Sequence, residues 1–399
     1  MALTTRSADP TTSTTALYVA LELSKDTWKL GITTSRTQRA RIRDVRARDQ
    51  AGFLSEVARA KQRWGLRPDA PVFTCYEAGR DGFWIHRFLE GQGFRNVVVD
   101  PASIEVSRRK RKVKTDRVDA EKLAQLLVRH HEGEDVVSVV RVPPLEIEVE
   151  RLLPRQLKTL KNRRTQITNA IRALLFQHGV DLNPRAGSFA KRSFLDELRR
   201  ARQWDGSPLP EGVVFFVKLQ WERYAVIEAQ IKDLSQRQRE VLRKARRGSE
   251  DVTPAQELAA RMTRLRGVGD TGAYVLSLEF FAWREFKNRR QVGALAGLTG
   301  TPFQSGGMDK DQGISKAGNA RVRALVVELA WLWLRYQPES DLAKWYWAHV
   351  GKAKSRGRRK AIVALARKLL IALWHFVEHG VVPVGATLKD DGPAPKRAA

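Results

Sequence analysis

The chain has 399 residues, enough for about two or three domains of ordinary size. Lys plus Arg number 72 against 44 Asp plus Glu, a formal net charge of +28 that favours a polyanionic partner, nucleic acid first. No apolar run reaches the ~20 residues of a membrane span, so no membrane partner is expected, and the single cysteine, Cys75, excludes an internal disulfide and any multi-cysteine zinc site.

Residues 1–15 lack the apolar segment of a secretory signal and read as a disordered lead. Together with the lone cysteine this predicts a reducing, cytoplasmic setting. LYVALELS (17–24) alternates and is rich in branched residues, which predicts a strand. WKLGITT (28–34) and RARIRDV (40–46) continue it as an antiparallel set. Residues 48–64 predict a helix, 72–78 a buried strand, 82–93 a helix ending in glycine, 95–100 a fifth strand and 115–131 a helix. Long, charged helical patterns cover about 145–178 and 216–247 and suit an antiparallel hairpin or coiled coil, with Pro154 kinking or starting the first. Segment 183–212 joins them as an insertion, 253–385 is compact and tryptophan-rich, and 386–399 reads as a disordered tail.

Four carboxylates stand at informative places. Glu22 lies near the middle of the first strand, Glu77 ends the fourth, and Asp116 and Asp119 share one face of the helix after the fifth. Neighbouring strands and a flanking helix can bring such acids together, where they repel one another unless a cation sits among them. Oxygen ligands without His or Cys suit Mg²⁺ or Mn²⁺. This is the arrangement of the RNase H-like nuclease fold. The plainer reading makes Glu77 a cap and the Asp pair a solvated helix start. His130 and His131 close their helix and read as C-terminal capping charges.

LRGVGDTGAYVLSLEF (265–280) resembles a helix-hairpin-helix, whose backbone amides can grip a phosphate, although core packing explains its glycines equally. Further on, Ser305 precedes Gly306 and Gly307 in a predicted loop, and Lys316, Arg321 and Arg323 follow on or near the next helix. A serine attacks a phosphodiester when a base or metal takes its proton and cations stabilise the developing charge. Taken alone, Ser305 is a turn serine.

KTDRVDAEKLA (114–124), YEAGRDGFWIHRFLEGQG (76–93) and PFQSGGMDKDQGISKAGNARVRALVVELA (302–330) resemble the transposases of the insertion sequence 110 family. The resemblance runs from about residue 17 to 380 and weakens over 183–212. It implies a RuvC-like DEDD domain over 16–143, a helical hairpin over 144–252 and a mainly helical transposase domain over 253–385. It implies a recombinase in which that serine and the acids act together across the protomers of a dimer or tetramer. A guide RNA from the same element would pair with donor and target DNA. By position, Glu77, Asp116 and Asp119 match the second, third and fourth family acids, and Ser305 matches the nucleophile that links to DNA. Glu22 stands where the family carries aspartate, in LELSKDTW, and Asp26 is a substitute candidate.

The basic runs then gain a role. Arg108, Arg109, Lys110, Arg111, Lys112 and Lys114 would lie along a nucleic-acid backbone, and Lys352, Lys354, Arg356, Arg358, Arg359 and Lys360 would form a second contact. Trp331, Trp333, Trp345 and Trp347 can stack on bases but read mainly as core or interface residues. The reading is an RNA-guided DNA recombinase acting by serine attack with divalent-metal help, placed at the nucleoid. Its rivals are a metal-dependent, structure-selective nuclease with a structural Ser305, and a non-catalytic nucleic-acid-binding remnant.

Overall fold

The computed structural model describes residues 16–104, 116–180, 193–305, 308–351 and 355–389, with backbone alone for 302–312, 355 and 356. The chain divides into two compact units, Met1–Val142 and Pro143–Ala399. The first is mixed α/β and the second mostly helical.

In the first unit, β1 (Leu17–Leu23), β2 (Thr27–Thr33), β3 (Arg41–Arg46), β4 (Val72–Glu77) and β5 (Arg95–Val99) form one sheet in the order β3-β2-β1-β4-β5. The β1–β2 and β2–β3 pairs are antiparallel, whereas β1–β4 and β4–β5 are parallel. Alternation along each strand divides the side chains between two cores. Leu17, Val19, Leu21, Tyr76 and Val98 pack with Phe53 and Val57 of α1 (Gln50–Arg63) and Ile85 and Leu89 of α2 (Trp84–Gly91). Tyr18, Ala20, Phe73, Cys75 and Val99 pack with Leu123, Ala124, Leu127 and Val128 of α3 (Asp116–His131). Helix α1 forms because Phe53, Val57 and Ala60 share one face and the Asp49 side chain accepts from the Gly52 amide at its start.

The second unit opens with α4 (Leu145–Glu150) and α5 (Leu152–Gln177). Pro154 falls in the first turn of α5, where a missing N–H costs little, so it starts the helix rather than kinking it. α5 packs along α7 (Glu211–Arg247): Leu157 and Leu160 meet Ile231, while Ile171 and Leu175 meet Val217 and Tyr224. Rising numbers on one helix meet falling numbers on the other, so the pair is antiparallel, as expected. Within 183–212, α6 (Ser193–Arg200) adds Phe194 and Leu198 to that core.

Behind the hairpin follow α8 (Pro254–Met262), α9 (Asp270–Leu276), a π-helical turn (Ser277–Phe281), α10 (Arg289–Leu295), the β6–β7 hairpin (Gly300–Ser305, Met308–Ile314), α11 (Ala320–Tyr336), α12 (Asp341–Val350) and α13 (Ser355–His379). Their apolar faces meet in one core around Trp333, Tyr274, Tyr346 and Phe280.

Two expectations change here. The tail is ordered as far as Lys389. The Arg266 amide donates to the Thr387 carbonyl, the Thr387 amide donates to Gln337 Oε1 at 2.8 Å, and Lys389 Nζ reaches the Thr263 and Val268 carbonyls. The glycine turn at 265–269 leads into a short helix whose first residue, Asp270, is ion-paired with Arg246. A phosphate there would meet a carboxylate, and Gly267, at φ 87, packs instead against Leu332, Trp333 and Tyr336 of α11. Among the described residues, no helix is long and apolar enough to cross a membrane.

Candidate catalytic face and basic cleft

The sheet register decides where the acids lie. Leu21 pairs with Tyr76 across the parallel β1–β4 ladder, so Glu22 and Glu77 are level on adjacent strands at their carboxyl ends. Both share the parity of Ala20 and Cys75, whose side chains face α3. Carboxyl ends of parallel strands are where open α/β sheets bind ligands.

Helix α3 runs antiparallel to β1. Its C-terminal His131 Nδ1 lies 2.9 Å from the Tyr18 hydroxyl, while Ala120 sits over Gly31, the cross-strand partner of Ala20. A Cβ at Gly31 would overlap the Ala120 carbonyl oxygen, so glycine lets the helix approach this closely. From Ala120 back to Asp116 the helix climbs ~6 Å, and from Ala20 to Glu22 the strand climbs ~7 Å. Asp116 therefore reaches the level of Glu22 and Glu77, and Asp119 lies about 4–5 Å short of it along the same helix. Asp116 is exposed, while Asp119, Glu22 and Glu77 are half-buried. Asp26, the substitute candidate, is exposed in the β1–β2 turn.

The same row continues across β2 and β3. Lys29 is the cross-strand partner of Glu22, and its Nζ lies 3.0 Å from both carboxylate oxygens of Asp44. Burial, with the Glu77 charge adding to it, pushes the Cys75 thiol far above its ordinary value, so this cysteine stays a neutral core residue. The carboxylate set fits a hard divalent cation in donor type. Among the described residues, however, no three His, Cys, Asp or Glu stand close enough together to hold an ion, so the ligand set is not closed. The run from Arg108 to Lys114 lies outside the described residues.

The second unit places Ser305 in a strand rather than a loop. It is the last residue of β6 and pairs with Met308 of β7. The Gly-Gly between two short polar strands was the signal for a hairpin.

The base of this hairpin is fixed by residues of the GISKAGNARVR motif. The Ser315 amide donates to the Thr299 carbonyl at 2.8 Å, and the Asn319 amide to the Leu295 carbonyl at 2.8 Å. Asn319 Oδ1 caps α11 through the Arg321 and Val322 amides. Gly297 and Gly318, both at positive φ, sit where a Cβ would overlap backbone carbonyls. Lys316 itself is left-handed, at φ 58. Arg323 Nη1 donates to the Lys316 and Ala296 carbonyls at 2.9 and 3.3 Å, so this predicted phosphate contact is committed in part to bracing the loop.

Beside that base opens a cleft of about 1010 Å³ between α10 and α13. Arg289, Arg290, Lys316, Arg359, Lys360, Arg367 and Lys368 line it, with no carboxylate among the described lining residues. Its floor is apolar, from Leu298, Ile314, Val363 and Ile371. Lys316, Arg359 and Lys360 were predicted contacts, and Arg358 is exposed on the same helix. Arg289, Arg290, Arg367 and Lys368 were missed because only folding gathers them. Lys352 and Lys354 lie outside the described residues, as does the Arg356 side chain.

Of the four tryptophans, Trp333 is core, donating to Ser340 Oγ at 2.8 Å, and Trp345 carries Lys368 Nζ 4.6 Å from its ring centre. Trp331 and Trp347 are about half exposed and lie outside the core.

A further charged group escaped the sequence. Glu279, in the π-helical turn, is only 1% exposed; Arg155 holds it bidentately at 2.7 and 2.9 Å, and Arg151 Nε lies 3.3 Å away. Burial pushes its carboxyl up, but the Arg155 hydrogen bonds and the Arg151 and Arg155 charges, with Arg321 adding to them, reverse this and hold it below its ordinary value. Arg151 moves the other way from Arg155. Burial lowers Arg151, whose contact is ionic and leaves Nε and Nη1 without hydrogen bonds, whereas the bond from Glu279 raises Arg155. A lone acid in the apolar run VLSLEFFAW was the available signal.

Residues 22–179 match the family model of the DEDD transposases of the IS110 group, and residues 259–344 match the one described as the transposase IS116/IS110/IS902 family. The candidate transposase y4rJ of Sinorhizobium fredii is 40% identical over 388 residues, 94% of this chain and 95% of its own length. The chain belongs to the IS110 family of transposases. Members of named elements are also similar. The transposase for IS1328 of Yersinia enterocolitica is 23% identical over 78% of this chain and 85% of its own, and that for IS1111A of Coxiella burnetii is 26% identical over 74% of each. The IS110-family transposase is thus an enzyme of DNA cutting and recombination, with DNA as its partner, and all four acids fall within the DEDD match.

Proposed function

We propose that this transposase is an RNA-guided DNA recombinase that cuts and rejoins strands through Ser305, with Glu22, Glu77, Asp116 and Asp119 as the carboxylates of an RNase H-like, RuvC-like domain. The observation that carries the reading is the register: two acid-bearing strand ends lie level on adjacent strands, and the helix that begins with the two aspartates packs on the same face of the sheet. The sheet order β3-β2-β1-β4-β5, with β2 alone antiparallel to the rest, supports that fold.

The four carboxylates would hold Mg²⁺ or Mn²⁺. When bound, a divalent ion lowers the pKa of a coordinated oxygen nucleophile and neutralises charge on the phosphodiester. The chain's own part is the exchange. Ser305 Oγ forms a bond to phosphorus, the bond to a sugar oxygen breaks, and that oxygen leaves with a proton equivalent to the one lost by the serine. One phosphodiester replaces another, so its energy is kept for rejoining, which hydrolysis by water would lose. Glu22 keeps the charge of the family aspartate with one more methylene.

The charge of +28 supports a structured RNA as well as DNA partners, in the cytoplasm at the nucleoid. Exposed Phe176, Trp204, Phe215 and Phe216 at the α5–α7 hairpin support assembly as a dimer or tetramer. The test is denaturing electrophoresis of labelled element DNA after incubation with protein and copurified RNA. Wild type should form a protein–DNA adduct and Ser305→Ala none. An adduct from Ser305→Ala would assign the covalent link to another nucleophile, and strand cleavage by wild type with no adduct would leave a metal-dependent nuclease.

A further inference from the structure

We infer that the basic cleft between α10 and α13 seats a single-stranded stretch of nucleic acid and discriminates against duplex. The inference rests on the nucleic-acid reading above but not on the serine chemistry.

Three observations carry it. The first is the composition of the rim. Seven cations line the cleft, and among the described residues no carboxylate lines it. A polyanion is the ligand chemistry that such a rim selects. At about 1010 Å³ the space exceeds what a lone phosphate needs.

The second is the pattern along α13. Lys360, Val363, Ala364, Arg367, Lys368 and Ile371 all line the cleft, at spacings of three and four that define one helix face. That face alternates cationic pairs with apolar ones over about 16 Å of helix. A face meant for water would not carry Val363 and Ile371 between its charges, and a core face would not carry the charges. Phosphates on the cations and bases over the apolar patches satisfy both.

The third is the floor. Leu298, Ile314, Val363 and Ile371 present aliphatic surface at the bottom of the cleft. A duplex has its base faces stacked inside and offers a phosphate backbone and groove edges only. A single strand offers bases that can leave water against this floor. Aliphatic contact carries no hydrogen-bond code, so the site reads strandedness rather than sequence. Its place at the base of the hairpin, lined by Gly300 and Gly313, puts the bound strand beside the segment that carries Ser305.

The experiment is fluorescence anisotropy on the full chain with three labelled probes: an oligothymidylate and an oligouridylate of about 20 nucleotides, and a hairpin duplex of similar length. Ala364 is exposed, so Ala364→Trp fills the cleft without changing charge. It should weaken at least one single-stranded probe about tenfold or more and the duplex less than about threefold. Loss confined to oligothymidylate assigns the cleft to DNA, loss confined to oligouridylate to RNA, and either supports it. Arg289→Gln with Arg290→Gln, both exposed, should flatten the single-strand salt slope by about 1.4, two contacts at about 0.7 each. Equal loss on duplex and single strands, no loss on any probe, or an unchanged slope would overturn the cleft. Thermal unfolding checks that each variant folds, and if Ala364→Trp does not, the arginine pair decides. Wild type that binds none of the probes would overturn the nucleic-acid reading as well. A missing Ser305 adduct with these binding results intact would overturn only the serine chemistry.

Discussion

The α3-covered face of the first unit and the hairpin base of the second use their motif residues in opposite ways. In the first, the motif acids stand at the ends of regular elements, and the scaffold that aligns them is made of unremarkable residues: Ala20, Gly31, Ala120 and the pairing of β1 with β4. In the second, much of the motif is itself scaffold. Asn319 caps a helix, Gly318 permits close backbone packing, and Arg323 braces a loop. Motif residues that touch backbone and caps are thus scaffold in this fold, whereas the motif acids of the first unit stand at element ends on the α3 face.

Perturbing scaffold and chemistry separately sharpens this contrast. The largest stability effect is expected at Glu279→Gln, which leaves Arg151 and Arg155 with a buried, uncompensated charge and should cost about 3–5 kcal/mol in chemical denaturation. The folded-state value of Glu279 lies below the unfolded one, so the pair's contribution is fully present above about pH 4.5 and is lost as pH falls through the folded value. Unfolding free energy followed from pH 7 downward should show this loss in wild type and lack it in Glu279→Gln. Equal stability of the two proteins at pH 7 would demote the network to a surface-like pair.

Gly31→Val comes next. Its side chain would overlap Ala120 and lift the first turn of α3, at about 1–3 kcal/mol. Strand cleavage should fall further than the folded fraction does, because Asp116 and Asp119 move with the helix. Cleavage that tracks the folded fraction alone would mean that close approach of α3 is not required. The smallest effect belongs to Asn319→Ala, which removes a helix cap worth about 1 kcal/mol and should lower the thermal midpoint while leaving DNA affinity unchanged. A selective loss of affinity would show that this motif residue serves binding after all.

Most of the first unit was legible from its sequence because strands with one face on each core alternate, and its helices carry caps and apolar stripes. Its acids were legible through their places at element ends. The second unit was harder to read. The 302–314 hairpin carries few apolar residues and was announced only by Gly306-Gly307, so Ser305 was expected in a loop. Glu279 looked like an interruption in a core segment, and its partners Arg151 and Arg155 lie more than a hundred residues away. The cleft cations are spread from Arg289 to Lys368, and no local pattern joins them. Pairings over that separation exist only once the chain is folded.

The central claim is that one strand-transfer reaction needs both the carboxylates of the first unit and the serine of the second. The most direct measurement is adduct formation by Asp119→Asn with Ser305 intact, under conditions where both it and wild type bind the labelled DNA equally. The account predicts a loss of adduct on the order of 10²–10³-fold, about the cost of removing one electrostatic contact to a transition state. Adduct at the wild-type level from Asp119→Asn would contradict it and leave Ser305 to act without the acids.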